Sequence, residues 1–330
     1  MIRARLAAAA LLLAAANPAR AQDGSLALRG EASAPAFWHA RSAPRQWLAP
    51  HDALMRSIIW RPTHSAHVEW AELELRGGGE ARFTRVVVVR MDPAGLRFSL
   101  ARRTVRGKNT SAPGWNLADA PADAVVALNA GQFTSAMPWG WLVLDGAERL
   151  APGTGPLSSA FLVTREGRVE WVDGDALAKH RARKDIALAF QSYPSLLVGD
   201  GELPAPLHTD SASLLRPALP READISRTHR DARLALGVDR SGRVLIALTR
   251  FDGLGGAFAR LPFGFTVPEM AALMGALGAQ RAMLLDGGIS AQLLVRTAGG
   301  DERFSGLRRV PLALLVRERS PHAPVGATTR

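Results

Sequence analysis

Cysteine is missing from the 330-residue sequence. Thiolate catalysis, Cys-ligated zinc, iron–sulfur clusters and disulfide staples are therefore excluded. A chain of this length buries a core without disulfides. Tyrosine occurs once, at Tyr193, and lysine only at Lys108, Lys179 and Lys184. The formal net charge of +11 thus rests on arginine. The arginines are scattered, and neither a basic block nor an aromatic platform accompanies them. Charge alone would suit a binder of nucleic acid or lipopolysaccharide, but this pattern favours no nucleic-acid partner. Long apolar runs are also missing beyond the N-terminus, so no membrane span is expected in the mature chain. There is no G-x-S-x-G elbow, no Walker loop and no H-E-x-x-H, and the eight histidines show no metal-ligand spacing. No cofactor is required by the sequence, which still leaves room for a divalent cation on oxygen ligands.

What is present begins with residues 1–21. Arg3 and Arg5 precede an apolar run over 6–16, Asn17-Pro18 breaks it, and Ala19-Arg20-Ala21 offers a small-x-small cleavage site. This pattern predicts a cleaved signal peptide and a periplasmic or secreted protein; the rival reading is an uncleaved anchor. Residues 22–64 read as a loose N-terminal segment, 65–318 as one domain and 319–330 as a tail. The oligomeric state is not legible.

The expected fold class is α+β: a single large mixed-sheet domain with few helices. The run Val86–Val89 marks a buried strand over 84–90, with 96–100 as its hairpin partner across Asp92-Pro93-Ala94-Gly95. Further strands are expected at 125–128, 140–144, 160–164, 169–172, 233–238, 244–249 and 310–316, with Arg165-Glu166-Gly167-Arg168 joining 160–164 to 169–172, and 233–238 and 244–249 forming a hairpin across Asp239-Arg240-Ser241-Gly242. Thr266-Val267-Pro268-Glu269 is a capping box, and Met270, Leu273, Met274 and Leu277 form an apolar stripe that Gly278 closes. A second helix is expected over 176–183, and a long loop over 200–227.

Four segments could carry chemistry. In Leu284-Leu285-Asp286-Gly287-Gly288-Ile289-Ser290, a strand ends in an acid followed by two glycines. Such a strand end can bring backbone amides close to a ligand, with Ser290 adding a hydroxyl. The bland alternative is a tight turn capped by Asp286. Asn129-Ala130-Gly131-Gln132 follows another strand, and Asn129 could bind a sugar hydroxyl or simply turn the chain. In the segment 228–237, Arg233 lies beside the small residues Ala235 and Gly237. That leaves a hollow with a fork donor for phosphate or carboxylate, or an arginine paired on a wet face. Thr228 and His229 flank it, His229 being a base or a surface histidine. Gln191-Ser192-Tyr193-Pro194 sets an extended or turned backbone, with a cis bond as an option.

Taken in order, these segments resemble the phosphodiester glycosidase family over about 65–318. The carriers are Asn129-Ala130-Gly131 with Phe133, Tyr193-Pro194 with Leu196 and Gly199, Arg233 to Gly237, the helix after Thr266, and Leu285 to Ser290. The sequence departs from the family pattern at Gln132, Tyr193, Leu234, Ile289 and Ala291, where bulkier or different residues are expected to reshape the pocket. The resemblance implies an exported hydrolase cutting a sugar-1-phosphodiester at the anomeric carbon, with a phosphorylated carbohydrate or glycan as partner. It implies Asp286, Arg233 and Asn129 as catalytic residues. Gly131, Gln132, Gln191, Thr228, His229, Gly287, Gly288 and Ser290 would bind substrate. The alternative is a non-catalytic periplasmic protein that binds glycans or aids exopolysaccharide assembly.

Overall fold

The computed structural model describes residues 24–29, 36–102, 114–134, 137–153, 157–208, 226–253 and 263–319. The expected signal, 1–21, most of the expected loop over 200–227, and the chain after 319 lie outside the described residues. Among the described residues most of the regular structure is strand, with α-helices at Asp52–Ser57, Leu177–Arg181 and Val267–Ala276 and several single 3-10 turns.

The few expected helices are present, but the expected mixed sheet is not. Every strand pair among the described residues is antiparallel. The first sheet runs in the order Ser195–Leu197, Ala279–Leu285, Leu234–Asp239, Val244–Phe251, Thr84–Met91, Val68–Arg76, Ser25–Leu28 and Trp38–His39, with Arg61–Pro62 beside Val68–Arg76. A second sheet joins Ala147–Leu150, Leu142–Leu144, Ile186–Ser192, Ser159–Thr164 and Val169–Asp173. A third joins Gly300–Phe304, Leu293–Thr297, Val126–Asn129, Leu312–Glu318 and Leu96–Arg102.

The difference has a physical reason, which is burial on both faces. Val86 and Val88 enter one core with the helix Val267–Ala276, whereas Val87 and Val89 enter another with residues of the second and third sheets. Neighbouring strands split the same way: Ala235, Ala247 and Leu284 face the helix, and Leu234, Leu248 and Leu285 face the sheets. Such strands read as unbroken apolar runs, the usual mark of parallel sheets. In this chain an antiparallel sheet shows it because both sides are covered. Each fully buried Val or Leu contributes about 1.5–3 kcal/mol.

Two further expectations change. Leu96–Arg102 does not pair with Thr84–Met91; it pairs with Leu312–Glu318 in the third sheet. The Asp92 carboxylate accepts from the Ala94 amide at 3.0 Å, and this turn carries the chain between sheets instead of folding it back. The segment expected to be loose is packed where described. Phe37, Trp38, Trp47, Leu54 and Ile58 belong to the core around the helix. The capping box is as expected: Thr266 Oγ1 accepts from the Glu269 amide at 3.3 Å, and the Glu269 carboxylate accepts from the Thr266 amide at 2.8 Å.

Candidate active site

The strand Ala279–Leu285 lies between two neighbours, so its end is fixed from both sides. Asp286 follows directly. Its amide donates to the Gly131 carbonyl at 2.9 Å, and its carbonyl accepts from Asn129 Nδ2 at 2.8 Å. Asn129 Oδ1 accepts from the Gln292 amide at 3.0 Å. Asn129 is fully buried, so its amide acts as a staple between the first and third sheets. The two loops that carry the strongest motifs therefore meet.

The turn after Asp286 needs glycine. A Cβ on Gly287 would lie 2.5 Å from the Ala232 carbonyl oxygen, and Gly288 has φ +57 with a Cβ position 2.8 Å from Asp231 Oδ2. The Gly288 amide donates to the Ala232 carbonyl at 2.7 Å, so it serves the fold and not a ligand. Ser290 is buried, and its hydroxyl accepts from Arg308 Nε at 2.5 Å. Arg308 Nη2 donates to Asp286 Oδ2 at 2.9 Å. Arg308 is 43% exposed and Asp286 20%, so this ion pair sits at the surface of the turn.

Burial pushes the Asp286 carboxyl above its ordinary range, against the lowering effect of Ser290 and Arg308. Asp231 is pushed up as well, first by burial and also by the charge of Asp286, while Arg233 and His229 oppose the shift. The two carboxylates are thus close enough to sense each other.

Arg233 reaches the same corner through its backbone, since Leu234 pairs with Leu285. Its guanidinium is buried, and two of its nitrogens are taken by backbone. Nε donates to the Phe265 carbonyl at 2.9 Å and Nη2 to the His229 carbonyl at 2.5 Å. Burial lowers its pKa, and the nearby Asp231 and Glu269 act the other way.

The remaining candidates divide. Gly131, Gly287 and Ser290 belong to the Asp286 corner. Gln132 and Gln191 are buried and spent on backbone: Gln132 Nε2 donates to the Tyr193 carbonyl at 3.0 Å, and Gln191 Oε1 accepts from the Trp141 and Gly153 amides at 2.9 Å each. Thr228 and His229 are exposed, and Thr228 lines a separate cavity. The Tyr193-Pro194 bond is cis. Asp231 and Arg308 are functional candidates that the sequence motifs do not mark. Asp231 could have been found from its place two residues before Arg233; nothing in the local pattern marks Arg308. Among the described residues no group of three or more His, Asp or Glu could hold a metal ion.

The model of the phosphodiester glycosidase family matches residues 122–317, which is more than half of the chain and includes every residue of the Asp286 corner. The chain belongs to the phosphodiester glycosidase family. Solved structures similar to it include the following two. The zebrafish N-acetylglucosamine-1-phosphodiester alpha-N-acetylglucosaminidase catalytic domain, auto-inhibited by its pro-peptide, is 15% identical with a TM-score of 0.51, covering 84% of this chain and 94% of that one. A hypothetical protein from Synechocystis is 15% identical with a TM-score of 0.48, covering 79% of this chain; the chain spans 64% of that protein's length. No curated protein matches the sequence.

The departures from the family pattern lie along the corner's own segments, but several turn their side chains into the core. Leu234 and Ala291 are buried in the core between the sheets, and Tyr193 packs edge-on against Trp139 with ring centroids 4.6 Å apart. Ile289 is 43% exposed. Its carbonyl accepts from the Leu307 and Arg308 amides at 2.7 and 3.2 Å, so it anchors the arginine-bearing loop. The expectation that these residues reshape the pocket therefore does not hold for Leu234 and Ala291, which face the core.

Proposed function

We propose that the chain hydrolyses a sugar-1-phosphodiester at the anomeric carbon, outside the cytoplasm, after loss of residues 1–21. The observation that supports this most is the Asp286 carboxylate with Arg308 Nη2 at 2.9 Å, on a turn that belongs to the family's match. Water attacks the anomeric carbon and gives its proton to Asp286. The bond from that carbon to the phosphate oxygen breaks, and the phosphate monoester leaves with the electron pair.

An ordinary glycosidase needs a second carboxylic acid to protonate its leaving group. A phosphate monoester has a second pKa near ~6 and leaves without that help. It needs neutralisation of developing charge instead, which a positioned guanidinium supplies. Arg308 is the arginine suited to this role, because it is exposed and already held over the turn. The Arg233 fork is given to the Phe265 and His229 carbonyls, so its role becomes positioning of the 229–233 segment. When the substrate phosphate draws Arg308 away, Asp286 loses a partner that lowers its pKa and becomes a better base. Asn129 positions the Asp286 backbone.

The test is sugar release from a panel of sugar-1-phosphodiesters. Wild type turns over at least one, and Asp286→Asn lowers the rate about 100-fold or more, as for a positioned general base. Equal rates would remove Asp286 from the mechanism. Binding across the panel without turnover would select the glycan-binding alternative.

A further inference from the structure

A cavity of about 380 Å³ opens at the end of the first sheet opposite the Asp286 turn. The strand Ala279–Leu285 runs from this cavity to the turn, so the two places are roughly 20 Å apart at about 3.3 Å per residue. The volume is within the ordinary range of small-ligand sites, roughly 300–1,000 Å³. The stretches that form it, 48–60, 88–90, 239–245 and 277–280, are described throughout. The frame is fixed. The His51 amide donates to the Ala276 carbonyl at 2.9 Å, which ties the segment 48–60 to the end of the helix Val267–Ala276. Arg90 lies 4.2 Å over the Trp60 ring and donates to Glu69 through Nε and Nη2.

The lining charges are largely matched within the fold. Arg243 Nε donates to Asp239 Oδ2 at 2.8 Å, Arg90 is held by Glu69, and Arg240 is exposed on the hairpin turn. The rest of the wall is mostly apolar. Leu48 is 63% exposed, Met55 and Trp60 are half-buried, and Leu245 and Leu277 are buried. One polar side chain breaks this surface. Gln280 lines the cavity, is only 9% exposed, and its Oε1 has no hydrogen-bond partner. It is the extra residue of a bulge: Val238 pairs with Arg281 and Asp239 with Ala279, which leaves Gln280 between them. Bulges re-aim a side chain and gather beside binding sites. A buried acceptor without a donor is costly, and a ligand that brings one gains what the fold leaves unmade.

We infer that this cavity binds a small apolar molecule with one uncharged hydrogen-bond donor, of the phenol class. The ring lies against Leu48, Met55 and Trp60, where the thioether and the indole favour an aromatic partner. The hydroxyl donates to Gln280 Oε1. An ammonium is the poorer donor here, because three arginines and one carboxylate line the cavity. The inference is independent of the hydrolase reading, since binding is measured without turnover.

The experiment is titration calorimetry on the full chain with para-propylphenol and propylbenzene. The second probe keeps the apolar body and lacks the donor. The phenol binds about 10-fold tighter or more, although propylbenzene is the more apolar molecule. Gln280→Leu replaces the orphaned carboxamide by an apolar side chain of similar size. Its melting temperature stays at or above wild type, and the preference for the phenol shrinks to within about twofold. Leu48 is exposed, so Leu48→Asp keeps the fold, sets a charge on the cavity wall and weakens both probes about 10-fold or more. No binding of the phenol, equal or tighter binding of propylbenzene, a preference that survives in Gln280→Leu, or unchanged affinity in Leu48→Asp would each overturn the inference. Should Gln280→Leu fail to fold, the wild-type preference and Leu48→Asp decide.

Discussion

At the scale of single residues, Asp286 is a partly buried acid whose tendency to stay protonated is checked by Ser290 and Arg308. Removing Arg308 takes away a lowering influence, so the folded-state pKa of Asp286 rises further. A general base works only when ionised, so the acid limb of the kcat/KM profile moves to higher pH in Arg308→Ala. The maximum rate also falls, by about 100-fold or more, because the leaving phosphate loses its counter-charge. A pH–rate profile of the variant checks both; an acid limb that stays in place would separate Arg308 from Asp286. Asp286 itself was legible in the sequence, because an acid at a strand end before two glycines is a local pattern. Arg308 was not. It lies 22 residues beyond Asp286, and its contact depends on a loop returning across Ile289. Arg233 was legible as a candidate beside small residues, but not in its direction. Strand alternation gives a face, and only the three-dimensional fold shows two backbone carbonyls taking its donors.

At the scale of elements, the Asp286 turn is held by close backbone approach. Gly288→Ala forces an L side chain into a left-handed conformation and brings its Cβ against the Asp231 carboxylate. The conformational part alone costs about 1–2 kcal/mol. The urea midpoint drops accordingly, and sugar release drops with it as Asp231 is displaced. A wild-type midpoint would contradict a turn that only glycine fits. The helix Val267–Ala276 gives a milder case: Thr266→Ala removes a side-chain cap and lowers stability by about 1 kcal/mol, read from the same denaturation. This helix was fully legible, since its cap, proline and apolar stripe are all local signals. The pairing of Leu96–Arg102 was not, because a turn sequence cannot say which sheet receives the next strand.

At the scale of the whole molecule, the ionisable groups pull stability in two directions. Arg183 holds Asp185 down at about 2 by hydrogen bonding, and it also lowers Glu170. Arg317 lowers Asp123 in the same way. Stability from these pairs is present above the ordinary carboxylate values and is lost as pH falls through the lowered ones. Asp231 and Asp286 have the opposite sign: their raised values cost stability at neutral pH, and that cost fades as pH falls. The lowered groups are more exposed, so each contributes little. The melting temperature of Asp286→Asn at neutral pH is expected at or above wild type, with the gap closing in acid. A lower melting temperature at neutral pH would contradict the raised value. The hairpin of 233–238 with 244–249 was legible from its turn and forms in the main sheet, but the antiparallel character of the whole sheet was not, since only the assembled layers show that both its faces are covered.

Everything assigned to the Asp286 turn requires the sugar–oxygen bond to break while the phosphorus–oxygen bond survives. Hydrolysis in water enriched in oxygen-18 tests this directly, with both products weighed by mass spectrometry. Label in the anomeric hydroxyl of the released sugar is the expected result. Label in the phosphate would mean attack at phosphorus, and Asp286 as base at the anomeric carbon with Arg308 as counter-charge to the leaving phosphate would both fail.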